Sequence, residues 1–346
     1  MSTATTSRRH RLPGLVAVLA LAALTALTAC GSSAAGEDGD GTTTVRYQSY
    51  PGAVDPLELA DALGELDGIE LEKVGDVQGG PASLQALASD QVDISSSAFF
   101  GATAQVVASG APIKSVVATY GTNEKTGSGV VALPGSGLTE DPRSFIGKKV
   151  AVNTLGANAE AVLDTWFAEG GLSRTEIEKV TLVPLPPLNT IQALKEGQVD
   201  AAYLSLAQVK AAEDAVQLEV IVKDSDVVGF YNGGGVSLRN EWIEQYPEAS
   251  RTLVAGISAA IDFIESHERE ETLDVYVPWL EEHGYGASVE AVEQNWAGST
   301  GVSSKGGLIS EKDIAIWLDW LDSRGDVDPD EIEPSDVYTN QFNPNA

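Results

Sequence analysis

The chain has 346 residues with 51 acidic against 21 basic side chains, a formal net charge of −30, and only one Cys and three His. A surface this acidic repels phosphate backbones and anionic headgroups, which excludes nucleic-acid binding and electrostatic membrane association. A lone Cys excludes an internal disulfide, and with so few His it leaves no Cys/His metal centre to build.

Residues 1–29 read as a lipoprotein signal peptide. Arg8, Arg9 and Arg11 precede an apolar run from Leu15 to Leu27 that is short for a membrane span, closing on Leu27-Thr28-Ala29-Cys30. Cys30 is expected to become the lipidated first residue, anchoring the protein outside the cytoplasmic membrane of a bacterium. Arg8-Arg9 permits a twin-arginine export route as well as the general one. Residues 30–42 are rich in Gly, Ser, Ala, Asp, Glu and Thr and cannot bury enough apolar surface to order themselves, so they form a flexible tether. No later run is long and apolar enough to span a membrane, so the body is expected to be soluble.

The body then alternates. Residues 45–50 predict a strand opening onto Ser49-Tyr50-Pro51-Gly52, 55–66 a helix with Leu57, Ala60 and Leu63 on one face, and 68–74 a half-exposed strand. Gly79-Gly80-Pro81 starts a second helix, with Pro in its first turn. A strand from Val92 ends in Ser95-Ser96-Ser97-Ala98, a helix runs to 109, and 113–120 predicts a strong strand. After a Gly-rich crossing at 121–129 come a strand at 130–133, a loop at 134–141 and a short helical turn at 143–147. The plan then repeats: strand 149–153, turn 154–156, helix 157–167 stopped by Gly170-Gly171, strand 180–185, a helix after Pro186-Pro187, strand 199–204, helix 206–215 and strand 218–222. Residues 224–235 read as a return crossing. From Asn240 onward the pattern is almost entirely helical (241–246, 248–266, 269–282, 289–296 and 310–323), the last with Ser310 and Asp313 in a capping-box relation. The acidic tail past Gly325, with Pro329 and Pro334, is expected to wrap the surface.

One stretch occurs twice. Residues 83–94 read Ser-Leu-Gln-Ala-Leu-Ala-Ser-Asp-Gln-Val-Asp-Ile, and residues 190–201 read Thr-Ile-Gln-Ala-Leu-Lys-Glu-Gly-Gln-Val-Asp-Ala. Each is preceded by a strand, a polar turn and a helical stretch. Two such units predict two similar lobes with a cleft between them. Asp93 and Asp200, which close the repeats, follow a helix and start a strand, so they are read as structural.

Ile146-Gly147-Lys148-Lys149-Val150-Ala151-Val152, with Gly156 and Ala168-Glu169-Gly170-Gly171-Leu172-Ser173 after it, resembles the extracytoplasmic solute-binding proteins of ABC importers. Leu185-Pro186-Pro187 leading to Gly197-Gln198-Val199-Asp200-Ala201, and Gly80-Pro81 leading to Asp93-Ile94, fit the same family. The branch it resembles takes aliphatic sulfonates, taurine, nitrate and thiamine-pyrimidine precursors. Over residues 43–340 the resemblance implies a two-lobed α/β periplasmic-binding fold of type II, each lobe a parallel-sheet unit. Lobe 1 would comprise 43–125 and 236–346 and lobe 2 residues 126–235, joined by two Gly-rich crossings that suit a hinge. It further implies a monomer that delivers a small solute to a permease with its ATPase and uses no cofactor. Tyr203-Leu204-Ser205-Leu206 departs from the acidic or Trp-containing motif common in the family, which leaves the ligand open.

Ligands of open sheets bind beyond the carboxyl ends of strands. The loops there supply Ser49, Tyr50, Ser96, Ser97, Ala98, Asn153, Thr154, Gly156, Ala157 and Asn158, with Tyr203 and Tyr231 as aromatic candidates. They contain no Lys or Arg, so helix N-termini could hold an anionic group; a zwitterion, pyrimidine or other neutral heterocycle is the alternative. Each Ser or Asn could equally be a cap, and each Tyr a core residue. No enzyme signature emerges. His267 and His283 lack metal spacing, Ala297-Gly298-Ser299-Thr300-Gly301 is no nucleophile elbow, and Gly135-Ser136-Gly137 lacks the Lys of a phosphate loop. The chain is expected not to be an enzyme, including one of thiamine-pyrimidine synthesis, and a solute-sensing accessory lipoprotein is the other reading.

Overall fold

The computed structural model describes residues 41–50, 52–77 and 79–346. The leader, Cys30 and all but the end of the tether lie outside these residues. The described chain is α/β. In its first part β1 (Thr43–Ser49), α1 (Pro56–Ala62), β2 (Ile69–Asp76), α2 (Gly80–Ala88), β3 (Ile94–Phe99), α3 (Phe100–Ala108) and β4 (Ile113–Thr122) alternate. The middle holds β5 (Ser128–Ala132), β6 (Lys149–Val152), α4 (Asn158–Glu169), α5 (Arg174–Ile177), β7 (Thr181–Pro184), α6 (Pro187–Lys195), β8 (Ala201–Ser205), α7 (Leu206–Ala211), β9 (Glu219–Lys223) and α8 (Asp224–Val228). Then β10 (Tyr231–Arg239) leads to α9 (Asn240–Gln245), α10 (Pro247–Ser266), α11 (Arg269–Glu282), α12 (Val289–Asn295), α13 (Glu311–Arg324) and α14 (Pro334–Val337).

Strands β5 to β9 make one five-stranded sheet in the order β7-β6-β8-β5-β9, while β1-β2 and β3-β10-β4 make the sheets of the other lobe. The alternation of side chains along β6 sets the layers of the five-stranded sheet. Val150 and Val152 face a core with Leu163, Trp166 and Phe167 of α4, and Ala151 faces the opposite core with Ala193 and Leu194 of α6. In the other lobe Val45 and Tyr47 of β1 pack with Leu57 of α1, Ile257 and Ile261 of α10 and Tyr276 of α11. Local signals start and stop these helices. Asp55 accepts the Leu57 N–H at 2.9 Å, Ser310 and Asp313 form the expected reciprocal cap on α13, and Gly325 ends α13 in the left-handed conformation. The tail also returns to the body, with Tyr338 bridging to Ser115.

The repeated Asp has one job in both lobes. The Asp93 N–H donates to the Arg46 carbonyl at 2.8 Å, and its carboxylate accepts the Arg46 N–H at 2.9 Å. Asp200 does the same to Lys149, at 2.8 and 2.9 Å. Each Asp therefore fixes a strand of its lobe, β1 for Asp93 and β6 for Asp200, with two hydrogen bonds, as a structural reading requires. The surroundings differ. Asp93 is fully buried and also holds the Arg46 guanidinium at 2.8 and 2.9 Å, whereas the Asp200 carboxylate meets Lys148 at 3.4 Å near the surface.

Two expectations need correction. The sheets are mixed rather than parallel: β10 runs antiparallel to both β3 and β4, and β5 antiparallel to β8 and β9. These are the two strands that the chain enters from the other lobe, β5 directly after β4 and β10 after the short α8. Residues 231–239 are also a buried strand, not part of a loose crossing. Gly234 and Gly235 are there for close packing: an added Cβ would lie 2.1 Å from the Ala98 carbonyl oxygen at Gly234 and 2.0 Å from that of Val117 at Gly235. Conformational freedom in the second crossing falls at Gly229, which has φ +76° and open space around it.

Candidate functional site

The candidate residues lie at the ends of β1 and β3 and the start of β10 in one lobe, and in the β6–α4 turn and β8 of the other. Ser49 is buried at the end of β1, its carbonyl accepting the Val77 N–H at 3.1 Å. Beyond it the Tyr50 hydroxyl is buried and has no hydrogen-bond partner among the described residues. Ser96 donates to the Gln48 carbonyl at 2.8 Å, and the Ser97 hydroxyl is 3.3 Å from that of Thr119, which donates to it. Ala98 is fully buried against β10 and serves packing.

Across from these, Asn153 is exposed and Thr154 half-buried. Thr154 faces Gly79 so closely that an added Cβ at Gly79 would lie 2.7 Å from its methyl group. Gly156 has φ +69°, and its N–H donates to the Glu160 carboxylate at 2.8 Å. Ala157 is the buried N-cap of α4. Asn158 follows, and its amide meets the Tyr231 hydroxyl on both atoms, donating at 3.0 Å and accepting at 3.1 Å, while approaching the Tyr203 hydroxyl at 3.5 Å. Asn158, Tyr203 and Tyr231 are thus brought together, whereas Asn153 and Ala98 stand apart from that cluster. Tyr231 is also core, its ring edge-on to Trp317 at 5.5 Å.

Residues absent from the sequence candidates complete the floor. Asp224 is 2% exposed and accepts from the Thr122 hydroxyl at 2.6 Å, the Ser128 N–H at 3.0 Å, the Ser225 N–H at 2.8 Å and the Tyr203 hydroxyl at 3.4 Å. It fastens both crossings together. Burial pushes its carboxyl above the ordinary range, and those donors partly offset the shift. Tyr120 lies over Gly233 and Gly234 of β10; burial, then the neighbouring Tyr50 and Tyr231, push its hydroxyl well up. Burial dominates for Tyr203 and Tyr231 too, so all stay neutral hydroxyls at ordinary pH. The position of Tyr120 at the end of a strong predicted strand was a usable signal. Nothing local marked Asp224.

At one rim Arg324 of α13 reaches α4, bonding Glu160 at 2.5 Å and Asp164 at 3.1 Å while its guanidinium covers the Trp320 ring. Asp164 also accepts from Trp320 Nε1 at 3.3 Å and from Arg174 at 3.0 Å. Two surface cavities, of about 340 Å³ beside Lys114 and about 250 Å³ beside Arg174, lie away from the tyrosine cluster. Among the described residues no group of His, Cys, Asp and Glu is placed to hold a metal, and no helix is long and apolar enough to cross a membrane. The arrangement offers neutral hydroxyls and an amide with one buried carboxylate, a set suited to holding a small molecule between two lobes.

A search of curated proteins finds no match. Among solved structures, the ligand-binding component of an ABC-type import system from Staphylococcus aureus is 14% identical with a TM-score of 0.66, covering 86% of this chain and 97% of that one. The alkanesulfonate-binding protein SsuA from Xanthomonas axonopodis pv. citri is 18% identical with a TM-score of 0.64, covering 86% and 98%. The periplasmic nitrate-binding protein NrtA from Synechocystis PCC 6803 is 12% identical with a TM-score of 0.64, covering 87% of each. At such identities these show the two-lobed periplasmic-binding fold alone. The NMT1/THI5-like family profile matches residues 59–271, more than half of the sequence, and the chain belongs to that family.

Proposed function

We propose that this protein is the solute-binding component of an ABC importer, capturing a small molecule between its lobes and delivering it to a permease with its ATPase. The observation that carries the reading is the convergence of polar groups from separate elements on one spot: Asn158 at the start of α4 meets Tyr231 of β10 and Tyr203 of β8. The importer component, SsuA and NrtA named above share the fold and support the role. The lobes are those expected, lobe 1 residues 43–125 and 236–346 and lobe 2 residues 126–235, with the second boundary moved forward to Tyr231 because β10 pairs with β3 and β4. Closure is a population shift favoured because only the closed state lets a ligand touch both lobes. The protein acts as a monomer outside the cytoplasmic membrane, held there by a lipid on Cys30, and performs no chemistry on its ligand.

Asn158, Tyr203, Tyr231, Tyr50, Ser97 and Thr154 are the proposed ligand contacts, with Ser49, Ser96 and Gly156 shaping the backbone around them. The test is a thermal-shift series with sulfonates, nitrate, carboxylates, pyrimidines and amines. A true solute-binding protein gains several degrees with at least one of these, and no gain with any of them refutes the reading.

A further inference from the structure

The charge of the solute can be read from what already fills the cleft. We propose that the cleft takes a small cation bearing N–H donors and rejects free anions, an inference that rests on the solute-binding reading above. An anion without a basic partner needs the free N–H groups of a helix N-terminus. At α4 the first turn carries the Glu160 carboxylate, which accepts the Gly156 N–H ahead of the helix at 2.8 Å, and Asp164 lies one turn further on the same helix, so an anion there would meet like charge. At α2 Pro81 removes one of the first-turn N–H groups. A sulfonate or nitrate ion would face a carboxylate at the first of these ends and a reduced set of N–H donors at the second.

The floor points the same way. Asp224 is the formal charge in contact with the tyrosine cluster, and its partners among the described residues are hydroxyls and backbone N–H groups rather than Lys, Arg or His. Burial pushes its carboxyl up, and those donors offset only part of the shift. Tyr50 brings an independent signal: a buried hydroxyl without a partner among the described residues, close enough to Tyr120 to perturb it, with Tyr120 in turn perturbed by Tyr231. Tyrosine rings attract cations through their negative faces, and their hydroxyls can accept N–H donors. A net charge of −30 adds long-range steering of cations and repulsion of anions.

The experiment compares planar molecules of matched shape and different charge: guanidinium, urea and nitrate; acetamidinium, acetamide and acetate; benzamidinium, benzamide and benzoate, with ethylammonium set against ethanesulfonate. Binding to the protein is measured by titration calorimetry and thermal shift. In any set that binds, the cation is expected tightest and the anion weakest. Asp224→Asn is expected to reduce the cation-to-neutral affinity ratio about tenfold. An anion binding as tightly as its cation, or a ratio unmoved by Asp224→Asn, overturns the charge inference while leaving solute binding intact. If no member of any set binds, and the broader thermal-shift series also fails, the solute-binding reading falls and the charge inference falls with it.

Discussion

Arg324→Gln should open the cleft. Arg324 sits on α13, which packs on α3, and its guanidinium grips Glu160 and Asp164 of α4 at 2.5 and 3.1 Å. The three side chains are 20%, 12% and 10% exposed, so the contact lies between a surface pair and a buried one. Exposed pairs contribute roughly 0.2–1 kcal/mol, while stripping one partner from a buried pair costs about 3–5 kcal/mol. For two part-buried bridges, with Arg174 still holding Asp164, about 1–3 kcal/mol is reasonable. All of it weighs on the closed state, because opening separates α13 from α4. The closed-to-open ratio of the ligand-free protein should therefore fall roughly 5- to 150-fold. Small-angle scattering reads this as a larger radius of gyration for Arg324→Gln. Raising the salt towards 1 M, where the screening length shrinks to about 3 Å, should expand the parent protein more than the variant. Identical radii with identical salt responses would show that this contact does not govern closure.

Three further outcomes follow from the packing. Asp55 titrates at about 7 in the folded protein, raised from 3.8 by burial and then by Glu58, so the folded state binds its proton more tightly than the unfolded chain. Its stabilising contribution is complete below about pH 4 and is lost as pH rises through 7, up to about 4 kcal/mol. Asp55→Asn keeps the helix cap and should flatten that slope in thermal unfolding at pH 5 and pH 8; an unchanged slope would refute the assignment. Gly235→Ala should cost more than about 3 kcal/mol in urea unfolding because its Cβ collides with a backbone carbonyl, whereas Gly137→Ala, at φ +78° in open space, should cost only about 1–2 kcal/mol. Arg46→Met leaves the buried Asp93 carboxylate with only Arg239 at 3.4 Å as a charged partner and should cost about 2–4 kcal/mol, against under about 1 kcal/mol for Lys148→Met at the exposed counterpart. Equal losses in that last pair would refute the claim that burial separates the two clamps.

Most of the architecture was legible because it is periodic. The duplicated Gln-Ala-Leu…Gln-Val-Asp stretch marked two equivalent helices and strand starts, and the structure gives Asp93 and Asp200 the same two hydrogen bonds. What escaped was β10. Its Asn-Gly-Gly-Gly run looks like a loop locally, and only the carbonyls of Ala98 and Val117, distant in sequence, explain why no side chain fits there. Asp224 escaped for the same reason, since its partners Thr122 and Ser128 come from the other crossing. Tyr203 and Tyr231 were singled out only as aromatic side chains, whereas Tyr50 and Asn158 were reachable because a strand end and a helix start announce themselves. That Asn158 would spend its amide on Tyr231 was not, because that contact belongs to the tertiary fold.

The strand order β3-β10-β4 carries a consequence for how the chain is built. The Asp clamps close over separations of 47 and 51 residues, so β1 and β6 can each be set early within their own half. Between β3 and β4, however, stands a strand that emerges only after the whole five-stranded sheet has been synthesised. During synthesis the first half must wait with two unpaired strand edges exposed, while the second half can already complete its sheet. The lobe that begins first is therefore the lobe that finishes last, and its sheet closes only when residues 231–239 are available to fill the gap between β3 and β4.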